Sequence, residues 1–361
     1  MIKISTLVGA RPQFIKAAAV SRVIKTLFNN EINETIIHTG QHYDKNMSQI
    51  FFDELDIPSP HHNMHVSSLR HGAMTGRMLE SFESYLLKNK TDYVLVYGDT
   101  NSTLAGMLAA VKLGIPVAHV EAGLRSYNMN MPEEINRILV DRLSSLLFCP
   151  TEQAVINLEK EGLNNGIHQT GDVMLDVALY YKDKAKQKST VLIDHDLNPH
   201  EYFLVTCHRA ENTDDLTRLN EILSALAEIA STTKVIFPIH PRTRKYLIKA
   251  DMMRHLEDVI VVEPLAFLDM VLLEQFAKGI ITDSGGVQKE AFFYGIPCIT
   301  MRDETEWVET VESGWNKITG ANKQKILEAA SSLEKGIVNF SPYGDGNASE
   351  NILNIIKGES C

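Results

Sequence analysis

Acidic side chains follow apolar runs in the first half of this chain, where they suit acid–base chemistry. Asp99 follows the run YVLVY, Glu121 follows the run PVAHV, and Glu133 lies in the segment PEEINR. Carboxylates that crowd together repel each other, which raises the pKa of one or more of them and suits them to proton transfer. The structural alternative is that Asp99 and Glu133 cap helices. In that alternative Glu121 pairs with Arg125.

A cationic motif near the start of the chain suits an anionic ligand. In GARPQFIK, Gly9 permits a tight turn and Pro12 favours the first turn of a helix. Arg11 and Lys16 then lie beside a helix N-terminus, so the motif predicts an anion site. Solvated charges at an ordinary turn are the alternative. The motif lacks the GxGxxG fingerprint, so it does not indicate NAD.

The second half of the chain carries a comparable set of polar residues. Ser284, Gly285 and Gly286 follow the run GIIT and precede a predicted helix, whose first backbone N–H groups can bind a phosphate. Glu290 lies one turn into that helix and can accept both hydroxyls of a ribose. His208 directly follows the run FLVTC, and we expect it to point towards the ligand.

These motifs lie in two series of alternating strands and helices, which predict α/β domains with parallel, doubly wound sheets. The strands predicted in the first series are residues 2–8, 35–38, 93–97, 116–120 and 147–149. Its predicted helices are residues 13–28, 44–55, 72–88, a helix from Ser102, 132–146 and 152–161. The strands predicted in the second series are residues 202–207, 234–239, 259–262, 279–282 and 297–300. Ligands bind at the carboxyl ends of such strands, where the polar residues lie.

The break between the two series is predicted in the charged, turn-rich stretch 182–199. We therefore expect an N-terminal Rossmann-like domain at 1–185, which carries the carboxylates. A C-terminal Rossmann-like domain at 186–345 carries the serine–glycine motif. Residues 346–361 contain a last helix, predicted at 349–356, that packs back on the first domain. With 361 residues, 44% of them hydrophobic, the chain can form two cores.

The composition limits the class of protein. The net charge of -11 and the pI of about 5.6 argue against a general nucleic-acid binder. Four scattered cysteines fit a reducing compartment, and we find neither a signal peptide nor a membrane-spanning run. We therefore expect a cytoplasmic protein. Four histidines lie close together without accompanying cysteines, and they predict a surface loop rather than a metal site: His61, His62, His65 and His71. We expect no cofactor.

Taken in order, the motifs resemble the non-hydrolysing UDP-N-acetylglucosamine 2-epimerases over nearly the whole chain. The matching segments are GARPQFIK, HTGQHYD, YGDTNSTLAG, HVEAGLRS, MPEEINR, CHRAEN, IHPRTRK and TDSGGVQKEA. This resemblance implies two Rossmann-like domains in a GT-B arrangement, with the active site in the cleft between them. It also implies a homodimer and a UDP-sugar substrate.

The resemblance further implies the reaction. UDP leaves by anti elimination across C1–C2 of the sugar, giving a 2-acetamidoglucal, and then adds back to give the epimer at C2. Asp99, Glu121 and Glu133 would be the acid–base residues, and which of them removes the C2 proton is left open. His208 would contact the diphosphate and assist its departure.

The other ligand contacts follow from the same resemblance. The phosphates would be held by Arg11, Lys16, Ser284, Gly285 and Gly286. Glu290 would hold the ribose, while Leu265 and Met270 would lie beside the uracil. Bacterial members often carry a second, activating sugar-nucleotide site, and the positions similar to its lining are Gln41, Glu134, Arg209 and His240.

One departure from the family pattern concerns the substrate. Many UDP-N-acetylglucosamine members read TERPE where this chain reads TEWVE at 305–309. The chain is more similar to the branch that converts UDP-2,3-diacetamido-2,3-dideoxy-glucuronic acid to its mannuronic epimer for O-antigen. That sugar's carboxylate needs a cation, for which Arg70, Arg77 and Arg302 are candidates. UDP-N-acetylglucosamine is the alternative substrate.

Three other classes remain as alternatives to a non-hydrolysing epimerase. They are the hydrolysing 2-epimerases, the GT-B glycosyltransferases and non-catalytic sensors of nucleotide sugars. The segment PEEINR argues against the first class. The three carboxylates in the first half argue against the other two, because neither class needs them.

Overall fold

The computed structural model describes residues 1–41, 59–337 and 341–359. The helix predicted at 44–55 lies outside these residues, as does Cys361. The backbone forms two compact units: unit 1 contains Met1–Val177 and Ser341–Cys361, and unit 2 contains Ala178–Phe340. The domain limits at 185 and 345 stay predictions.

Unit 1 is built on a seven-stranded sheet in which every paired strand runs parallel. Its strands are β1 (Ile2–Val8), β2 (Ile32–His38), β3 (His62–Asn63), β4 (Tyr93–Tyr97), β5 (Val117–Val120), β6 (Leu146–Cys149) and β7 (Ile167–Gln169). They lie in the order β3-β2-β1-β4-β5-β6-β7. The order reverses between β1 and β4, and doubly wound sheets bind ligands at such a switch point.

Helices cover the sheet of unit 1. Those described are α1 (Arg11–Leu27), α2 (His71–Leu86), α3 (Asn101–Lys112), α4 (Pro132–Leu143) and α5 (Glu152–Lys160). Pro12 lies in the first turn of α1, where its missing N–H costs no hydrogen bond. Thr100 caps α3 by accepting a hydrogen bond from the backbone N–H of Thr103. Apolar side chains of β4 and α3, such as Val96 and Met107, share one buried core.

A late segment of the chain completes unit 1. Helix α6 (Val173–Lys188) follows β7, and the last helix, α15 (Ala348–Glu359), packs against α1. The Asp176 carboxylate of α6 accepts hydrogen bonds from the backbone N–H groups of Ala348 at 3.1 Å and Ser349 at 2.7 Å. Asp176 thus fixes the start of α15.

Unit 2 repeats the architecture with six parallel strands. They are β8 (Tyr202–Thr206), β9 (Lys234–Pro238), β10 (Ile260–Val262), β11 (Gly279–Thr282), β12 (Cys298–Thr300) and β13 (Asn316–Ile318). Their order, β10-β9-β8-β11-β12-β13, is that of the Rossmann fold. The switch point therefore lies between β8 and β11. The predicted fold class of two doubly wound α/β units is confirmed.

Helices also cover the sheet of unit 2. Those described are α7 (Val191–Asp194), α8 (Ala210–Thr213), α9 (Leu216–Ala230), α10 (Pro241–Lys249), α11 (Phe267–Phe276), α12 (Gly285–Tyr294), α13 (Val308–Glu312) and α14 (Lys323–Ser331). A single 3₁₀ turn spans Met253–Leu256. A buried core joins side chains such as Val205, Leu223 and Phe237.

Several sequence predictions of local structure were wrong. The stretch 182–199 was predicted as a turn-rich linker, but α6 runs to Lys188 and α7 follows, because the lysines, alanine and glutamine there favour helix. The helix predicted at 132–146 ends at Leu143, since Leu146 begins β6. The histidine-rich loop contains a short strand that pairs His62 with Ile37.

Two negative findings concern the described residues. No helix among residues 1–41, 59–337 and 341–359 has the length and apolar content to cross a membrane. Within the same residues, no group of three histidine, cysteine, aspartate or glutamate side chains is placed to bind a metal ion.

Candidate active site

In unit 1, charged side chains gather at the switch point between β1 and β4. Gly9 follows β1, and Gly98 and Asp99 follow β4. Glu121 follows β5, the next strand along. Because the strands are parallel, these residues share one edge of the sheet.

Lys16 and Glu121 form an ion pair at this edge, and the side chains are only 9% and 12% exposed. A Cβ placed on Gly98 would lie 3.3 Å from Glu121 Oε2 and 3.6 Å from Lys16 Nζ, so the pair lies against the end of β4. Glu121 has a φ of 73°, in the left-handed region that side chains other than glycine rarely adopt. Such strained residues concentrate at functional sites.

Arg137 of α4 connects two further carboxylates. It forms an ion pair with Asp99, and its Nη1 donates to Glu134 Oε2 at 2.9 Å. Glu134 is fully buried and also accepts hydrogen bonds from the backbone N–H groups of Ser126 at 3.0 Å and Tyr127 at 2.9 Å. The start of α4 is thereby held beside the end of β4.

Cations, rather than other carboxylates, are the partners of Glu121 and Asp99. The structural alternative from the sequence was wrong on three counts. Thr100, and not Asp99, caps α3, and Met131, and not Glu133, is the N-cap residue of α4. Arg125 pairs with Asp141 and Glu161 rather than with Glu121. Glu133 lies half-buried in the first turn of α4, one turn before Arg137. The structure thus brings Asp99 and Glu121 to one sheet edge, with Glu133 on the adjoining helix.

Gln13 is a site residue that the sequence did not suggest. It is buried in the first turn of α1, after Arg11, the half-buried first residue of that helix. Its Oε1 accepts from the backbone N–H of Gly9 at 2.8 Å, and its Nε2 donates to the Tyr97 carbonyl at 2.8 Å. Gln13 therefore ties the ends of β1 and β4 together. Its position in GARPQFIK, between Arg11 and Lys16 of the predicted anion site, was the available signal.

In unit 2, a buried carboxylate organises the switch point. Asp283 follows β11 and accepts the backbone N–H groups of His208 at 3.0 Å and Arg209 at 2.9 Å, both of which follow β8. Burial lowers the pKa of the His208 imidazole, and the nearby Asp283 carboxylate offsets this only in part. His208 is therefore mainly neutral near pH 7. The sequence prediction overlooked Asp283, although it precedes the serine–glycine motif.

The serine–glycine motif forms the start of α12. Ser284 is the N-cap residue, and Gly285 and Gly286 provide the first turn. A Cβ on Gly285 would lie 2.7 Å from Glu306 Oε1, whereas a Cβ on Gly286 would meet nothing nearer than 3.9 Å. Glu290 lies half-buried one turn further along the same helix. The open first turn has the backbone N–H groups and the space that a phosphate needs.

The TEWVE segment packs against this first turn. Burial alone would raise the pKa of Glu306, but the Arg302 guanidinium, whose Nη1 donates to Glu306 Oε2 at 2.8 Å, brings the pKa below its usual value. Trp307 is buried, and Lys289 Nζ lies 3.9 Å from the centre of its ring. Arg302, a predicted sugar-binding cation, is therefore buried in an ion pair.

The other predicted ligand residues are spread over both units. Arg70 and Arg77 are exposed in unit 1, where Gln41 Oε1 accepts from Ser102 Oγ at 2.7 Å. In unit 2, Leu265 and Met270 flank the start of α11 and are half-buried. His240 caps α10, and its ring lies 5.6 Å from that of His208. Of the predicted regulatory residues, Gln41 and Glu134 belong to unit 1 and Arg209 and His240 to unit 2.

Known proteins resemble this chain along its whole length. A family model described as UDP-N-acetylglucosamine 2-epimerase matches residues 25–357. A "UDP-N-acetylglucosamine 2-epimerase homolog" of Methanococcus maripaludis is 51% identical, with 99% of each chain covered. A "UDP-2,3-diacetamido-2,3-dideoxy-D-glucuronate 2-epimerase" of Pseudomonas aeruginosa is 50% identical over 97% of this chain and 98% of the relative.

A solved structure extends the likeness to three dimensions. The crystal structure of the Methanocaldococcus jannaschii UDP-GlcNAc 2-epimerase in complex with UDP-GlcNAc and UDP superposes with a TM-score of 0.91. Its sequence identity is 43%, and the match covers 99% of this chain and 100% of that chain.

Proposed function

The chain belongs to the UDP-N-acetylglucosamine 2-epimerase family and is a non-hydrolysing isomerase of UDP-sugars, and we propose that its substrate is UDP-2,3-diacetamido-2,3-dideoxy-glucuronate. The 50% identical relative that carries this substrate in its name supports the proposal. Trp307, in place of the arginine of TERPE, supports it as well. UDP-N-acetylglucosamine is the second candidate, favoured by the name of the 51% identical relative.

The observation that carries the proposed mechanism is the alternation of carboxylates and cations at the switch point of unit 1. Lys16 faces Glu121, and Arg137 faces Asp99. Removal of the C2 proton needs a carboxylate base, and a second side chain, protonated as a carboxylic acid, can give its proton to C2 on the opposite face when UDP adds back. We propose that Asp99, Glu121 and Glu133 share these roles.

We propose that unit 2 binds the UDP group. The first turn of α12, from Ser284 to Gly286, would hold phosphate oxygens, with Arg11 and Lys16 of unit 1 as the proposed cations. His208, neutral near pH 7, can donate one N–H to the departing diphosphate, which gains charge as the C1–O bond breaks. Glu290 would accept the ribose hydroxyls. Leu265 and Met270 would contact the uracil.

Proton NMR in D2O tests the reaction and the substrate. The protein is incubated with each of the two UDP-sugars in a separate tube. We expect deuterium at C2 and a mixture of gluco and manno UDP-sugars, faster with the diacetamido-glucuronate. Faster epimerisation of UDP-N-acetylglucosamine would reverse the substrate assignment. Accumulation of free sugar and UDP would instead indicate hydrolysis.

The same assay separates the roles of the three carboxylates. We compare Asp99→Asn, Glu121→Gln and Glu133→Gln, with Glu80→Gln, an exposed change on α2, as the control. Loss of the base abolishes deuterium incorporation from one epimer. General acid–base groups contribute about 10²- to 10⁴-fold to rate. A variant that keeps full exchange from both epimers would remove its residue from the mechanism.

We also propose a homodimer. Ile135, Leu139 and Leu143 recur every four residues and form an exposed apolar row on one face of α4. Such a row on the surface is a typical protein contact. Light scattering of the wild type should give the mass of two chains, and Leu139→Lys should give one. A wild-type mass of a single chain would contradict the proposal.

Regulation by a second UDP-sugar is proposed for Gln41, Glu134, Arg209 and His240. If such a site operates, velocity rises sigmoidally with UDP-sugar concentration. His240→Ala, a change of an exposed side chain, should make the curve hyperbolic. A hyperbolic wild-type curve would count against this site.

A further inference from the structure

A carboxylate outside the proposed acid–base set, Asp141 of α4, is fully buried beneath the site in unit 1. It accepts three hydrogen bonds. His119 Nδ1 lies 2.7 Å from Oδ1, while Arg125 Nη1 at 2.6 Å and the backbone N of Gly123 at 3.1 Å share Oδ2. Burial alone would raise the pKa of Asp141, but His119 and Arg125 more than offset this and lower it. Asp141 is therefore a carboxylate in which both oxygens accept hydrogen bonds.

The other ring nitrogen of His119 reaches the end of β4. Its Nε2 lies 2.8 Å from the Gly98 carbonyl oxygen. The ring therefore bridges the Asp141 carboxylate and the backbone at the end of β4. Gly98 immediately precedes Asp99, so this bond fixes the backbone that carries a proposed acid–base residue.

The same carboxylate holds both flanks of Glu121. His119 lies two residues before Glu121, Gly123 lies two residues after it, and both donate to Asp141. Between these two anchors the backbone of Glu121 takes its left-handed φ of 73°. A strained conformation persists only where the surroundings enforce it. Gly123 itself has no room for a side chain, because a Cβ would lie 2.3 Å from the Ala154 carbonyl oxygen.

We propose that Asp141 is a positioning residue that sets the geometry of Glu121 directly through its flanks and that of Asp99 through His119 and Gly98. This inference rests on the proposed function, in which Glu121 and Asp99 are acid–base residues. Arg125 completes the network, since its Nε and Nη2 donate to the two oxygens of Glu161 at 2.7 and 2.8 Å. Arg125 thereby links the Asp141 carboxylate to Glu161.

Asp141→Asn is the sharpest test, because the amide keeps the shape and removes one acceptor. Whichever way the amide turns, its NH2 faces an N–H donor, either His119 or the pair Arg125 and Gly123. We expect kcat to fall about 10- to 100-fold, because misplacement by about 1 Å costs about that much. KM should change less than about threefold, since the ligand contacts remain.

A second variant keeps the inference testable if Asp141→Asn misfolds. His119→Asn keeps a donor for Asp141 but is too short to reach the Gly98 carbonyl, so kcat should fall with little change in KM. The matched control is Asp176→Asn, a carboxylate in the same unit that accepts hydrogen bonds from two backbone N–H groups. This control should leave kcat within about twofold.

Crystal structures of Asp141→Asn and His119→Asn supply a readout that does not depend on activity. We expect Glu121 to leave its left-handed conformation in the first variant and the Gly98 carbonyl to rotate in both. If the wild type epimerises neither UDP-sugar, the proposed function fails, and these structures alone decide the positioning role. Unchanged backbone at Gly98 and Glu121, or a kcat within twofold of an active wild type, would overturn the inference.

Discussion

The Lys16 ammonium group and the Glu121 carboxylate, 105 residues apart in sequence, form a nearly buried ion pair at the carboxyl edge of the unit 1 sheet. Pairs of this kind place a base beside a cation that can also bind phosphate. Such a cation stabilises the negative charge of a leaving group more strongly in a site shielded from water.

Lys16→Met should therefore lower kcat/KM by about 10²-fold, the size typical of a lost electrostatic contact in a transition state. Steady-state epimerisation kinetics measure the effect. Lys25→Met, an exposed change in the last turn of the same helix, is the control and should leave kcat/KM unchanged. Equal activity of the two variants would remove Lys16 from the mechanism.

Arg137→Met should destabilise the protein by about 3 kcal/mol, because it removes the cation that pairs with the fully buried Glu134. Urea unfolding followed by circular dichroism measures the change in the free energy of unfolding. Arg142→Met, at the exposed end of the same helix, should cost less than about 1 kcal/mol. A similar loss of unfolding free energy in both variants would show that the buried Arg137–Glu134 pair stabilises the protein no more than an exposed arginine does.

Gly285→Ala and Gly286→Ala separate packing from ligand binding at the start of α12. The first Cβ would displace Glu306, so we expect a lower melting temperature as well as weaker UDP binding. The second Cβ meets only open space in the protein, so the melting temperature should be unchanged while a phosphate at this turn is obstructed. Thermal unfolding measures the melting temperature of each variant, and calorimetric titration measures its affinity for UDP. Undiminished UDP affinity in Gly286→Ala would contradict the proposed phosphate site.

Glu34→Gln should stabilise the protein at alkaline pH. Burial raises the pKa of Glu34, against the effect of hydrogen bonds from Ser21 and Thr6, so the folded state holds the proton more tightly than the unfolded state. Wild-type stability is therefore complete below the unfolded pKa and is lost as pH rises through the folded pKa. Glutamine cannot ionise, so the variant should be more stable than the wild type at pH 8 and similar near pH 4.

Thermal unfolding between pH 4 and pH 9 measures this difference. Glu80→Gln, on the exposed surface of α2, serves as the control and should follow the wild-type curve. A constant difference between Glu34→Gln and the wild type across this range would show that ionisation of Glu34 does not oppose folding.

The alternation of apolar runs and amphipathic stretches predicted both sheets, because a buried parallel strand such as Tyr93–Tyr97 has an unmistakable composition. Short edge strands such as Ile167–Gln169 were missed, since three residues carry too little pattern. Helix α6 was not among the predicted helices, and its last part was interpreted as a charged linker, although lysine and glutamine favour helix as well.

For the site, strand ends were the informative feature. They identified Asp99 and Glu121, which the structure places at one sheet edge. Their partners could not be predicted, since Arg137 is 38 residues from Asp99 and meets it only through the fold. Buried polar residues such as His119 and Asp283 were overlooked because they contact protein groups, and no spacing rule reveals that.

The attachment of α15 to unit 1 through Asp176 has a consequence for the order in which the protein forms during synthesis. All of unit 2 leaves the ribosome before Ala348 and Ser349, the residues that Asp176 binds, have been made. Domains fold as they emerge. The surface of α1 that packs against α15 therefore stays uncovered in the nascent first unit until the last helix of the chain has been synthesised.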